Sequence, residues 1–264
     1  MDLTLLAVSS PTTDCIMKNN ALKKALTALF VLVFWVLVWF ISSLIVNNVD
    51  ILPGPADTLI ALTKLPCQKS FYSAIFFTFL RVIAGLFSGI IIGTSLAFIC
   101  HKFSFARSVI TPVISVLKAV PVAILIVLLL FTLRGSYLIV FIGFVMVMPI
   151  IFQNALAGLD SIDKDLIEVG KIFDFSLIKR LKLLVFPALR SYLAPAIITS
   201  VGLTYKSQVA TEIIAYTKNS IGQYIYDANY GLNTEVAFAW TIVIIVFSIG
   251  LESVCRYLLG RVKK

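Results

Sequence analysis

The chain has 264 residues, 60% of them hydrophobic and 13% charged, with a formal net charge of +9. A water-soluble domain is about 45–50% apolar and about 25% charged, so too few polar side chains remain here to cover a surface in water, and lipid is the implied solvent. The excess of positive charge does not require a nucleic-acid partner, because its distribution along the chain is explained by membrane orientation.

Cys15, Cys67, Cys100 and Cys255 are scattered and form no Cys-x-x-Cys, and His101 is the single histidine. Neither a disulfide framework nor a zinc site is indicated. Residues 1–17 are mildly polar, lack an early basic stretch, and are expected to form a disordered tail rather than a cleaved signal. Met17, just before the first basic cluster, is an alternative start. Residues 18–264 are expected to form one transmembrane domain.

A helix needs about 20 apolar residues to cross a bilayer. The expected spans are Ala25 to Val49, about Ala74 to Cys100, about Ser108 to Thr132, the stretch between Arg134 and Asp160, a fifth after Arg190, and about Val236 to Val254. The third is interrupted by Lys118 and Pro121. The fold class is therefore an all-α membrane protein of about six transmembrane helices. Runs this long do not suit a membrane barrel, whose strands alternate over about ten residues, and helices satisfy their own backbone in lipid.

Six spans place both termini on one side. If that side is cytoplasmic, most of the 22 basic residues fall on inner segments, and only Lys64, Lys69, Arg134 and Lys218 fall on outer ones. The positive-inside rule then puts both termini in the cytoplasm.

The longest inner loop, 158–190, interleaves charged with apolar residues. Around Leu166, Ile167, Val169, Ile172 and Phe173 the apolar positions recur at helical spacing, and Asp163 or Asp165 is placed to cap the first turn. Such a helix docks onto a partner outside the membrane or lies on the lipid surface.

The stretch from Glu168 to Pro187, EVGKIFDFSLIKRLKLLVFP, resembles the EAA loop of ABC importer permeases. The spacing matches: Glu168-Val169-Gly170, three residues, Asp174, nine residues, then Leu184-Val185-Phe186-Pro187. Val169 and Gly170 stand where the motif has alanines, Asp174 where it has glycine, and Phe186 where it has leucine. Asp tolerates a left-handed backbone better than most residues, so Asp174 suits a helix-ending position. Leu52 to Pro55, Thr78 to Val82 with Gly85, Val120-Pro121, Pro149-Ile150 and Asn154 to Leu159 resemble the same family. Tyr205-Lys206, Glu212 and Asp227-Ala228 resemble its nitrate, taurine and aliphatic-sulfonate branch, a branch that also takes thiamine precursors, riboflavin and bicarbonate.

The resemblance implies an importer with two copies of this chain, two cytoplasmic ATPase subunits, and an extracytoplasmic substrate-binding protein. It implies a coupling helix comprising Glu168, Val169, Gly170 and Asp174, with Pro187 fixing the turn into the fifth span. The chain carries no Gly-x-x-x-x-Gly-Lys-Ser/Thr loop, so it is expected to be no enzyme and to bind no cofactor. ATP and Mg²⁺ would be bound by the partner ATPase. The implied location is an inner or plasma membrane.

Ionisable residues inside spans default to a functional reading. Lys118 and Lys206, placed near mid-bilayer at 1.5 Å per residue, suit a pathway for a small anion, against the alternative that each snorkels or pairs structurally. Arg81 and Glu212 complete the candidate pathway set, with mutual pairing across the bundle as the structural alternative. Gly85, Gly89 and Gly93, four apart, are expected to let two helices approach closely. A secondary transporter would call for internal repeats with broken helices, and a membrane enzyme for a catalytic constellation. The sequence offers neither.

Overall fold

The computed structural model describes residues 11–261. All regular structure among the described residues is helical. Residues 1–10 of the expected tail lie outside them, and residues 11–17 belong to the first helix, α1 (Pro11–Val46). The 21-residue apolar stretch of α1, Leu26–Val46, is unburied by the rest of the chain, so its apolar sides are left to lipid or to another subunit. Its far end is tied down by Trp39, which donates from Nε1 to the Pro53 carbonyl at 3.1 Å and stacks on Phe238.

A short helix, α2 (Pro55–Lys64), follows, with Pro55 in its first turn and the Gly54 N–H donating to the Asp57 carboxylate at 3.2 Å. This closes one of the open donors of a helix start. Next come α3 (Lys69–Lys102), α4 (Ser104–Ala119), α5 (Val122–Leu130) and α6 (Ser136–Asp160). After them stand α7 (Lys164–Ile172), α8 (Leu177–Arg180), α9 (Phe186–Ile214), α10 (Ile221–Tyr230) and α11 (Thr234–Arg261). Five stretches are long and apolar enough to span a membrane, and α4 with α5 makes a sixth only as a pair bent by 96°.

That bend falls at Pro121, where the sequence interrupts the third span. Pro121 has no N–H to donate, and its ring drives the preceding residue out of the helical region. Val120 is accordingly extended, at φ −74° and ψ 125°. At about 1.5 Å per residue, neither α4 nor α5 reaches across a core of about 30 Å.

α6 is the centre of the bundle, packed between α3 and α9. The stripe Gly85, Gly89 and Gly93 makes the α3–α6 approach possible. A Cβ on Gly89 would lie 2.5 Å from the Val147 Cβ, and one on Gly93 would lie 2.8 Å from the Met148 carbonyl oxygen. The expected packing role of these glycines is what the seam uses. One apolar cluster, around Phe152, Leu156 and Leu159, fills the α7 end of the bundle. Another, around Tyr205, Ile221 and Trp240, fills the opposite end.

The entry to the fifth span also differs from the expectation. Leu177–Ile214 is one helical stretch of 38 residues, so Pro187 fixes no turn. Its ring would strike the carbonyl four residues back in a regular α-helix. The segment just before it, Leu181–Val185, widens to a π-helix, which accommodates the proline without ending the helix.

Candidate functional site

The loop joining α6 to α9 is built from local rules. Asp163 accepts from the Asp165 N–H at 3.0 Å and so caps α7. At the other end Asp174 takes φ +45°. The Phe175 N–H then reaches the Gly170 carbonyl at 2.9 Å, and the Phe173 N–H reaches that of Val169 at 3.0 Å. This is the left-handed stop that Asp174 suits in place of glycine. Ser176 caps the next turn by accepting from the Lys179 N–H, and the Lys179 ammonium sits 4.2 Å from the Phe175 ring centre.

α7 shows the protein surface an unusual face. Leu166, Val169, Ile172 and Phe173 are all exposed, at spacings that line one side of a helix. Glu168 is exposed beside them, while Gly170 is buried. A Cβ on Gly170 would meet only Phe175 and Leu184, at 3.5 Å or more, so the alanine of the motif would also fit. An exposed apolar face flanked by charge marks an interaction surface.

A second polar cluster clamps this loop to the bundle. Asp160, the last residue of α6, accepts from Arg107 Nη2 at 2.9 Å and lies 2.9 Å from His101 Nδ1. His101 and Arg107 flank the turn between α3 and α4, so the start of the loop is bound to that turn.

At the opposite end of the bundle, Arg81 and Glu212 come together. Arg81 Nη1 donates to Glu212 Oε1 at 2.9 Å. Arg81 is 9% exposed and Glu212 0%. Arg81 also donates to Ser136 Oγ and to the carbonyls of Lys218 and Asn219. Glu212 also accepts from Thr78 Oγ1 at 2.9 Å and from the Gly222 N–H, in the first turn of α10, at 3.3 Å. The pair thus ties α3, α9 and the α9–α10 loop into one unit.

One turn below Glu212, Gln208 donates from Nε2 to the carbonyls of Arg81 and Ile139. Gly85 and Gly143 leave it room, since a Cβ on either would collide with its amide. Thr78, Gln208 and Gly222 escape a search for charged residues. The signal available for Gln208 was its place four residues before Glu212, on the same helix face.

The two lysines do not join this network. Lys118, in the last turn of α4, donates to Gln153 Oε1 on α6 at 2.6 Å and is exposed. It stands at the bend, so a depth counted along a straight span does not apply to it. Lys206 is exposed on α9 with no hydrogen bond or ion pair among the described residues. The structure therefore unites Arg81 with Glu212, with neither Lys118 nor Lys206 bonded to that pair.

A helical bundle with an exposed amphipathic helix held between two long spans has the fold of ABC importer permeases, a class of membrane transport subunit. The chain belongs to the family described as binding-protein-dependent transport system inner membrane component, which it matches over residues 85–264. Among solved structures it is similar to a chain of the inward-facing MetNI methionine ABC transporter. The TM-score is 0.64 at 15% identity, covering 75% of this chain and 99% of that one. It is also similar to a chain of a bacterial ABC transporter involved in the import of the acidic polysaccharide alginate. There the TM-score is 0.65 at 14% identity, covering 94% of this chain and 99% of that one. A search of the curated proteins finds no match.

Proposed function

We propose that two copies of this chain form the conduit of an ATP-driven importer for a small anionic solute, of the sulfonate, taurine or nitrate kind, released to it by an extracytoplasmic substrate-binding protein. The observation that carries the reading is α7, whose exposed apolar face is strapped between α6 and the continuous α8–α9 stretch. A partner that moves α7 moves both helices, because Asp160 anchors one end and the Asp174 stop sets the other.

In this reading α7 seats in a cleft of a cytoplasmic ATPase, which holds ATP and Mg²⁺, and both termini of the chain are cytoplasmic. Glu168, beside the apolar face, contacts the ATPase, with Val169 and Gly170 in the same turn. Lys206 is the pathway residue best suited to an anion, since an ammonium on an apolar span with no partner among the described residues carries an uncompensated charge. Lys118, already bonded to Gln153, is the weaker candidate.

The test is co-purification of the detergent-solubilised chain with tagged ATPase subunits, comparing wild type with Glu168→Lys. A complex held by wild type and lost in the variant, with membrane insertion unchanged, supports the reading. Absence of a complex with any ATPase removes it and favours a transporter that works without one.

A further inference from the structure

Between the α7-side ends of α9 and α11 lies a cleft of about 390 Å³, lined by Arg190 and Arg256 together with Ala194, Pro195, Ile198 and Leu259. Neither guanidinium has a hydrogen bond or ion pair among the described residues. Arg190 Nη2 is moreover shut off from solvent without a partner. A buried cationic donor with nothing to donate to is costly. Glu252, one turn along α11 from Arg256, is the nearby carboxylate in sequence. It instead lies against α9 at Gly202, where a Cβ would collide with it. Among the described residues the cleft is therefore lined by two cations and apolar side chains, with no carboxylate.

We propose that this cleft binds an anionic phospholipid, its headgroup phosphate held by Arg190 and Arg256 and an acyl chain lying along Ala194 and Ile198. Arg is the side chain suited to phosphate, because its fork of donors matches the oxygens in pairs. The geometry also fits the membrane. α9 runs away from the α7 loop and α11 returns to it, so both arginines sit at one end of their spans, where headgroups lie, and the apolar wall continues toward the bilayer interior. Basic pockets between spans at the cytoplasmic side take anionic headgroups. Assignment to the inner leaflet rests on the orientation given under the proposed function, whereas the chemistry of the cleft does not.

The test uses the full chain in nanodiscs of phosphatidylglycerol or of phosphatidylcholine, followed by gentle detergent extraction and native mass spectrometry of retained lipid. Wild type should retain phosphatidylglycerol and not phosphatidylcholine. Arg190→Gln and Arg256→Gln should each reduce retention about fivefold, from the usual contribution of a basic residue near an anionic headgroup, and the double variant should abolish the preference. Arg256 is exposed, so its single variant stays informative if the Arg190 variant misfolds, which thermal unfolding reports. Equal retention by wild type and the double variant overturns the proposal. So does protection of the chain against heat by inorganic phosphate alone, with no lipid retained, which would make the cleft a free-anion site. Nanodiscs are symmetric and the readout needs neither an ATPase nor transport. An inverted orientation, read separately by labelling Cys67, would thus fail the functional reading without touching the lipid result.

Discussion

The pairing of Arg81 with Glu212 can be weighed by a double-mutant cycle. Arg81→Leu removes the guanidinium but leaves a fully buried carboxylate with only Thr78 and the Gly222 N–H as donors. Removing one partner of a buried ion pair costs about 3–5 kcal/mol. Glu212→Leu is milder, because the guanidinium keeps Ser136 Oγ and the carbonyls of Lys218 and Asn219. The loss of one charge-assisted bond there costs about 1.5–3 kcal/mol. The double variant removes both charges together, so it should be more stable than Arg81→Leu alone. The coupling should then exceed the average of about 0.6 kcal/mol for neutral bonds between membrane helices. The assay is reversible unfolding in mild detergent by added dodecyl sulfate, followed through tryptophan fluorescence, since Trp240 packs in the cluster next to this site. Losses that add to within about 0.5 kcal/mol would refute the idea that the two charges act as a unit.

Gly143→Ala drives a Cβ into the Gln208 amide and should cost about 1–3 kcal/mol by overpacking. Adding Gln208→Ala should recover part of that loss in the same unfolding assay. At Asp174, φ +45° penalises a side chain by about 1–2 kcal/mol. Asp174→Gly should therefore slow amide exchange of Phe175, and Asp174→Val should speed it. Lys206→Ala should lower solute uptake in proteoliposomes containing the ATPase while leaving ATPase association intact. Lys118→Ala should do so less, and uptake unchanged in both would end the anion-pathway assignment.

The parts of this architecture that were legible in the sequence depend on one residue's own backbone or size. Asp174 stops α7 because Asp tolerates the left-handed region, and the glycine stripe on α3 brings α6 close because glycine has no side chain. Such properties survive any neighbourhood. Prolines behave differently. Pro112, Pro149 and Pro195 lie inside continuous helices, yet Pro121 sits at a 96° bend and Pro187 follows a π-turn. Proline removes the same hydrogen bond in every case, so the outcome is decided by what the freed segments pack against. At Pro121, α5 gains the apolar contacts of Ile126 with Leu138 and Ile142, while Lys118 reaches Gln153. Arg81 illustrates the same limit from the polar side. Its acceptors come from residues 55 to 138 positions away, including two loop carbonyls that no composition rule would single out. A charged residue in a span announces that an acceptor set exists, without saying whether protein or solute provides it. In this chain, the presence of internal acceptors distinguishes the cases. Arg81 is enclosed and bonded by the chain itself, whereas Lys206 and Arg190 have donors without a partner among the described residues, which is why those two positions are the ones proposed to meet an anion from outside.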